Sequence, residues 1–155
     1  MFPFYVKIYL VMKMKLVIVR HADPDYEHDS ITKKGWRETE LLSERISKMN
    51  VKKFYCSPLG RAKDTASLSM KKMNREYEIL PWLHEFKGQV NEGLLKKSVC
   101  WDRMPSYWCG VDEFYDYNKW HSSACMKNTN VQKEYIKVAN GLDELLKKHG
   151  YLHDG

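Results

Sequence analysis

The chain has 155 residues and a formal charge of +6, from 26 Lys and Arg against 20 Asp and Glu, and 43% of its residues are hydrophobic. That length supports one domain with a real core, and the composition, with only 8 Gly and 5 Pro, excludes a disordered, collagen-like or low-complexity chain. Four cysteines at no regular spacing make no disulfide framework, so a reducing cytoplasm is the expected compartment, while the basic balance favours an anionic partner without separating nucleic acid from a small phosphate ester.

Residues 1–19 are rich in apolar side chains, yet Lys7, Lys13 and Lys15 divide them into runs of six residues or fewer. A membrane span needs ~20 apolar residues and a signal core about 7–15, so no membrane association is expected. Met12-Lys13-Met14-Lys15 resembles a translation start, and residues 1–13 are read as a leader or extension that carries no fold argument. Leu16-Val17-Ile18-Val19 is an uninterrupted apolar run, as expected for a central strand buried on both faces. Between residues 35 and 49, Leu42, Ile46 and Met49 fall on one face with Leu41 beside them, which predicts an amphipathic helix. Residues 51–56 read as a second strand, stopped by Ser57-Pro58. Ala62, Ala66, Met70 and Met73 then recur at helical spacing, with Pro58 in the first turn of the helix they predict.

The order strand, helix, strand, helix implies a parallel sheet with helices packed on its faces. Ligands bind such sheets beyond the carboxyl ends of strands, where Arg20-His21 and Ser57 stand. Residues 87–129 show no clean period but concentrate Trp101, Tyr107, Trp108, Phe114, Tyr115, Tyr117 and Trp120, an aromatic-rich insertion expected over a site or at an interface. A second copy of the chain is a candidate partner for that surface. The last amphipathic helix, residues 131–148, carries Val131, Tyr135, Val138, Leu142, Leu145 and Leu146 on its apolar side and is closed by Gly150. A parallel α/β chain usually answers such a helix with another strand, so an incomplete single domain over residues 1–155 is expected.

Arg20-His21 is the sharpest local feature. A neutral imidazole can attack phosphorus through one nitrogen while a backbone acceptor holds the other, and a guanidinium supplies planar, bidentate donors to phosphoryl oxygens. Taken alone, a polar pair that merely ends a strand is the plainer reading. Ser57-Pro58-Leu59-Gly60-Arg61-Ala62-Lys63-Asp64-Thr65-Ala66 opens a helix, whose free N–H groups and dipole favour an anion. Arg61, in the first turn, can reach back towards His21. By themselves Ser57 reads as an N-cap, Arg61 as a solvated charge and Thr65 as a helix residue satisfied by its own backbone. Together with Arg20-His21, the set reads as a phosphate site.

At these residues the sequence resembles the histidine phosphatase superfamily, the phosphoglycerate mutase-like fold. The resemblance rests on Leu16-Val17-Ile18-Val19-Arg20-His21-Ala22, Ile31-Thr32-Lys33-Lys34-Gly35, Tyr55-Cys56-Ser57-Pro58 with Arg61-Ala62 and Thr65-Ala66, and Leu83-His84-Glu85. It implies an α/β, three-layer sandwich with a mainly parallel sheet and with its C-terminal part missing here. It also implies a phosphatase or mutase acting on a small phosphorylated substrate. His21 would be the nucleophile that becomes phosphohistidine, Glu85 the acid at the leaving oxygen, Arg20 and Arg61 the phosphoryl ligands, and Ser57 a support for the pocket. With two guanidiniums on the phosphoryl oxygens, neither a metal nor a cofactor is required.

Two departures stand beside the match. The family's Arg-His-Gly is Arg20-His21-Ala22 here, and the family's second histidine, at the end of a later buried strand, has no counterpart. His149-Gly150 reads instead as a cationic residue and glycine closing a helix. The alternative function is therefore an inactive, truncated member that binds phosphorylated ligands. A basic RNA-binding protein is a further alternative, but the lysines of the aromatic stretch are not periodic with its rings, and no nucleic-acid partner is expected. Cys100, Cys109, His121 and Cys125 lie nine, twelve and four residues apart, which fits no compact zinc knuckle.

Overall fold

A computed structural model of the chain describes residues 14–92 and 96–152. The expected leader, residues 1–13, lies outside these residues. Thr32 starts the first helix, α1 (Lys33–Ile46): its backbone is extended and its hydroxyl accepts the Gly35 N–H at 3.1 Å, the usual way of satisfying an orphan donor in a first turn. The second helix, α2 (Gly60–Met73), begins two residues past Pro58 rather than on it, and Leu59, at its N-cap, offers no side-chain acceptor. Asn74 turns left-handed at φ 49° to end α2, a conformation asparagine tolerates better than most residues.

The two helices pack on each other through small polar side chains rather than an apolar stripe. Gly35, Thr39, Ser43 and Ile46 are the buried residues of α1, and Arg61, Thr65, Ser69 and Met70 those of α2. Leu41, expected near the apolar face, is 73% exposed. Small side chains at four-residue spacing let two helices approach closely, and that geometry selects this face over the leucines.

Three two-stranded sheets accompany the helices among the described residues. β1 (Pro24–Asp25) pairs antiparallel with β2 (Ser30–Ile31), and β3 (Tyr55–Cys56) pairs parallel with β4 (Glu78–Ile79) across α2. The hairpin β5 (Gln89–Glu92) and β6 (Lys96–Val99) pairs Gln89 with Val99 and Val90 with Ser98. The expected parallel pairing is thus present as one short ladder. The expected central strand is not: Leu16, Val17, Ile18 and Val19 are 54%, 45%, 86% and 46% exposed and have no strand partner among the described residues. A β-branched run becomes a buried strand only when neighbours pair with its backbone and cover both faces, and here neither condition holds. The second expected strand, residues 51–56, shortens to Tyr55–Cys56 for the same reason, since among the described residues only β4 pairs with it.

The aromatic-rich segment builds a cluster of its own. Val90, Met126 and Val131 are buried at its centre, with Phe86, Cys100, Trp108, Phe114, Trp120 and Cys125 packed around them. A short helix, α3 (Pro105–Cys109), belongs to this segment, and Val131 begins the long helix α4 (Val131–Lys148), which matches the expected span. Its middle lies on the 3-10 turn Pro81–Leu83: a Cβ on Gly141 would come within 2.6 Å of the Trp82 ring. Gly150, at φ 83°, closes α4 as expected, with Gly150 N–H donating to the Lys147 carbonyl and Tyr151 N–H to the Leu146 carbonyl, both at 3.0 Å. His149 caps the helix and its Nε2 meets the Tyr55 hydroxyl at 2.8 Å. No helix among the described residues is long and apolar enough to cross a membrane.

Candidate active site

The residue after His21 is tied to α2. Ala22 N–H donates to Thr65 Oγ1 at 3.0 Å, and the Thr65 hydroxyl donates to the Arg61 carbonyl one turn earlier at 2.7 Å. Thr65 is therefore satisfied by its own helix, as its sequence context suggests, while its second lone pair fixes the chain at His21. The His21 ring contacts the Ala22 carbonyl through Nδ1 at 2.8 Å. A carbonyl only accepts, so Nδ1 carries the proton and, in the neutral ring, Nε2 holds a free lone pair. Tyr26 stands next to both key groups: its ring is edge-on to His21 at 6.5 Å between centroids, and the Arg61 guanidinium lies 5.3 Å from its centre.

Arg61 is buried, with 9% of its side chain exposed. Its Nη1 donates to Asp29 Oδ1 at 2.9 Å and its Nη2 to Glu85 Oε2 at 3.0 Å. Asp29 also takes the Gly60 N–H on Oδ2 at 2.6 Å, so the helix N-terminus expected to attract an anion already holds one from its own chain. Asp29 itself has a left-handed backbone, φ 46°, and its carbonyl lies 2.0 Å from where a Gly60 Cβ would be. Only glycine fits there.

The Gly60 N–H, followed by the Arg61 backbone and guanidinium, holds the Asp29 carboxyl below its ordinary value against the opposing pull of burial. A carboxyl lowered in the folded state adds stability above the ordinary aspartate range, and that contribution disappears as pH falls through the folded-state value. We therefore expect the urea midpoint to drop as pH falls below about 5, and Asp29→Asn to make that drop shallower, since Asp23, Asp25 and Glu44, also lowered, act equally in both proteins. Identical slopes for the two proteins would refute this role for Asp29.

His21, Ala22 and Thr65 line a cavity of about 190 Å3 with Val19, Arg20, Glu38, Thr39 and Leu42. Thr39 is fully buried there and its hydroxyl has no partner among the described residues. Arg20 is exposed on the same cavity and makes no hydrogen bond among the described residues. No residue of 87–129 lines it. Of the residues anticipated for the site, His21, Arg61 and Glu85 are linked by contacts through Tyr26 and the Arg61 fork. Ser57 is set apart: its hydroxyl accepts the Leu59 N–H at 3.3 Å, a turn contact at the approach to α2. Asp29 and Tyr26 were not anticipated: Asp29 meets Gly60 and Arg61 from more than thirty residues away, and no motif marks the Tyr26 ring that stands between His21 and Arg61. Among the described residues no three His, Cys, Asp or Glu side chains are grouped to hold a metal ion, so Cys100, Cys109, His121 and Cys125 form no such set.

A family model described as histidine phosphatase superfamily (branch 1) matches residues 16–149, and the chain belongs to that superfamily. It is similar to a protein from Thermoplasma acidophilum described as 2,3-bisphosphoglycerate-dependent phosphoglycerate mutase, at 27% identity over 70 residues. That match covers 39% of this chain and 35% of the mutase, so it spans about a third of the relative's length.

Proposed function

We propose that the chain hydrolyses a small phosphate monoester, or transfers its phosphoryl group, through a phosphohistidine on His21. The observation that carries this reading is the Nδ1 contact to the Ala22 carbonyl, which leaves Nε2 as the nucleophilic nitrogen. Nε2 attacks phosphorus as the bond to the leaving oxygen breaks, and Glu85, in its protonated form, gives that oxygen its proton. Water then attacks the phosphohistidine, Glu85 takes up the proton, and phosphate leaves with His21 restored. Arg20 and Arg61 carry the charge of the phosphoryl oxygens, and Ser57 steadies the turn into α2. In a mutase, which the Thermoplasma relative is named as being, a hydroxyl of the substrate takes the place of water in the second step. A three-layer sandwich with a mainly parallel sheet is the architecture this proposal assumes.

The test is the intact mass of the chain after brief exposure to a generic phosphoryl donor, quenched at alkaline pH because phosphohistidine is acid-labile. One added phosphoryl group, mapped to the peptide containing His21, is the expected result. An unmodified, folded chain that also releases no phosphate would overturn the reading.

A further inference from the structure

We infer that Glu85 is an exchangeable stand-in for the phosphoryl group on Arg61, so that substrate must displace its carboxylate before His21 can react. This rests on the reading of Arg61 as a phosphoryl ligand. The two carboxylates on Arg61 are not equivalent. Asp29 is an anchor: one oxygen holds Nη1 at 2.9 Å, the other holds the Gly60 N–H at 2.6 Å, and its backbone is pressed against Gly60. Glu85 follows a 3-10 turn, is 45% exposed, and its carboxylate makes one hydrogen bond among the described residues, to Nη2. It can leave by rotation of its own side chain.

The occupied edge is also underused. Nε and Nη2 lie on one edge of a guanidinium and point the same way, which is how arginine grips two oxygens of a single group. Glu85 engages Nη2, while Nε is buried and has no partner among the described residues. A phosphoryl group would meet both donors on that edge and bring more negative charge to them than one carboxylate. Tyr26 covers a face of the guanidinium and Asp29 holds Nη1, so the Nε–Nη2 edge is the one that departure of the half-exposed Glu85 would uncover. The exchange frees the Glu85 carboxylate beside the leaving oxygen, where it takes the proton of a phosphate monoanion and passes it to that oxygen as the bond to phosphorus breaks. The ground state thus keeps Arg61 neutralised, and the substrate itself brings the acid into play.

The probe is sulfate, a dianion that does not titrate near neutral pH, added to the full chain at constant ionic strength and followed by titration calorimetry. Glu85→Gln, with Glu85→Ala as a second variant, is expected to bind sulfate about fivefold more tightly than wild type, the weight of one partly exposed ion pair. Arg61→Ala is expected to lose binding. Unchanged or weaker binding in both Glu85 variants, with Arg61 still required, would overturn the exchange alone. Binding that survives Arg61→Ala, or its absence from wild type and both Glu85 variants, would overturn the reading of Arg61 as a phosphoryl ligand and the exchange with it.

Discussion

His21→Ala is expected to lower turnover of a chromogenic aryl phosphate on the order of 10^4-fold or more, the scale on which removing a nucleophile acts when the rest of a site remains. The loss should fall on turnover rather than on folding. Among the described residues the His21 ring bonds only to the carbonyl of its own neighbour and touches Tyr26 edge-on, while the backbone bond that ties this segment to α2 belongs to Ala22 and is kept. Stability should therefore change by no more than about 1 kcal/mol, one net hydrogen bond. Parallel thermal melts and rate measurements separate the two effects. A variant that melts normally and retains activity within about tenfold of wild type, a loss worth only ~1.4 kcal/mol, would remove His21 from the chemistry.

Gly60→Ala should produce the largest loss of stability among single-methyl additions in the site region. The added Cβ would lie 2.0 Å from the Asp29 carbonyl oxygen and 3.2 Å from its carbon, and backbone atoms cannot swing away as a side-chain tip can. Helix propensity favours alanine over glycine by only about 0.5–1 kcal/mol, too little to offset a clash of that depth. A net cost of about 3 kcal/mol is expected, at the upper end of ordinary overpacking, with a melting midpoint lower by roughly 6–12 °C. The displaced segment carries Asp29, so the Arg61 anchor should loosen as well. Circular dichroism melts check the first effect, and a midpoint within about 2 °C of wild type would contradict the close approach.

The helices were legible because their repeat is local. Residues 131–148 were anticipated as a helix closed by Gly150, and the structure ends α4 there with a left-handed glycine. What the helices bury was less legible. Thr39, Ser43, Thr65 and Ser69 recur at helical spacing too, but small polar residues on a shared face are indistinguishable in sequence from a solvated one until the second helix is placed. Strands depend wholly on partners, so Leu16-Val17-Ile18-Val19, the most strand-like run in the chain, is exposed. The hairpin of β5 and β6, with Gln89, Asn91, Lys96 and Lys97 among its eight residues, escaped a search for apolar alternation. In the candidate site, His21, Arg61 and Glu85 stood out through motif residues. Asp29 carried no such signal, because its role comes from Gly60 and Arg61, more than thirty residues away.

The helix that leaves the aromatic cluster acts as a strut. With 18 residues α4 is about 27 Å long, and it is fastened at three points: Val131 in the cluster, Gly141 on Trp82, and a latch at the far end where His149 meets Tyr55 and Lys148 meets Glu78. A rod held at both ends cannot have one end released without straining the other. Loosening the aromatic cluster therefore loads the latch on the parallel strands and the turn that leads to Glu85. A protease that nicks the cluster would slacken that turn from a distance, and heat should melt the aromatic segment and the parallel strands in one event.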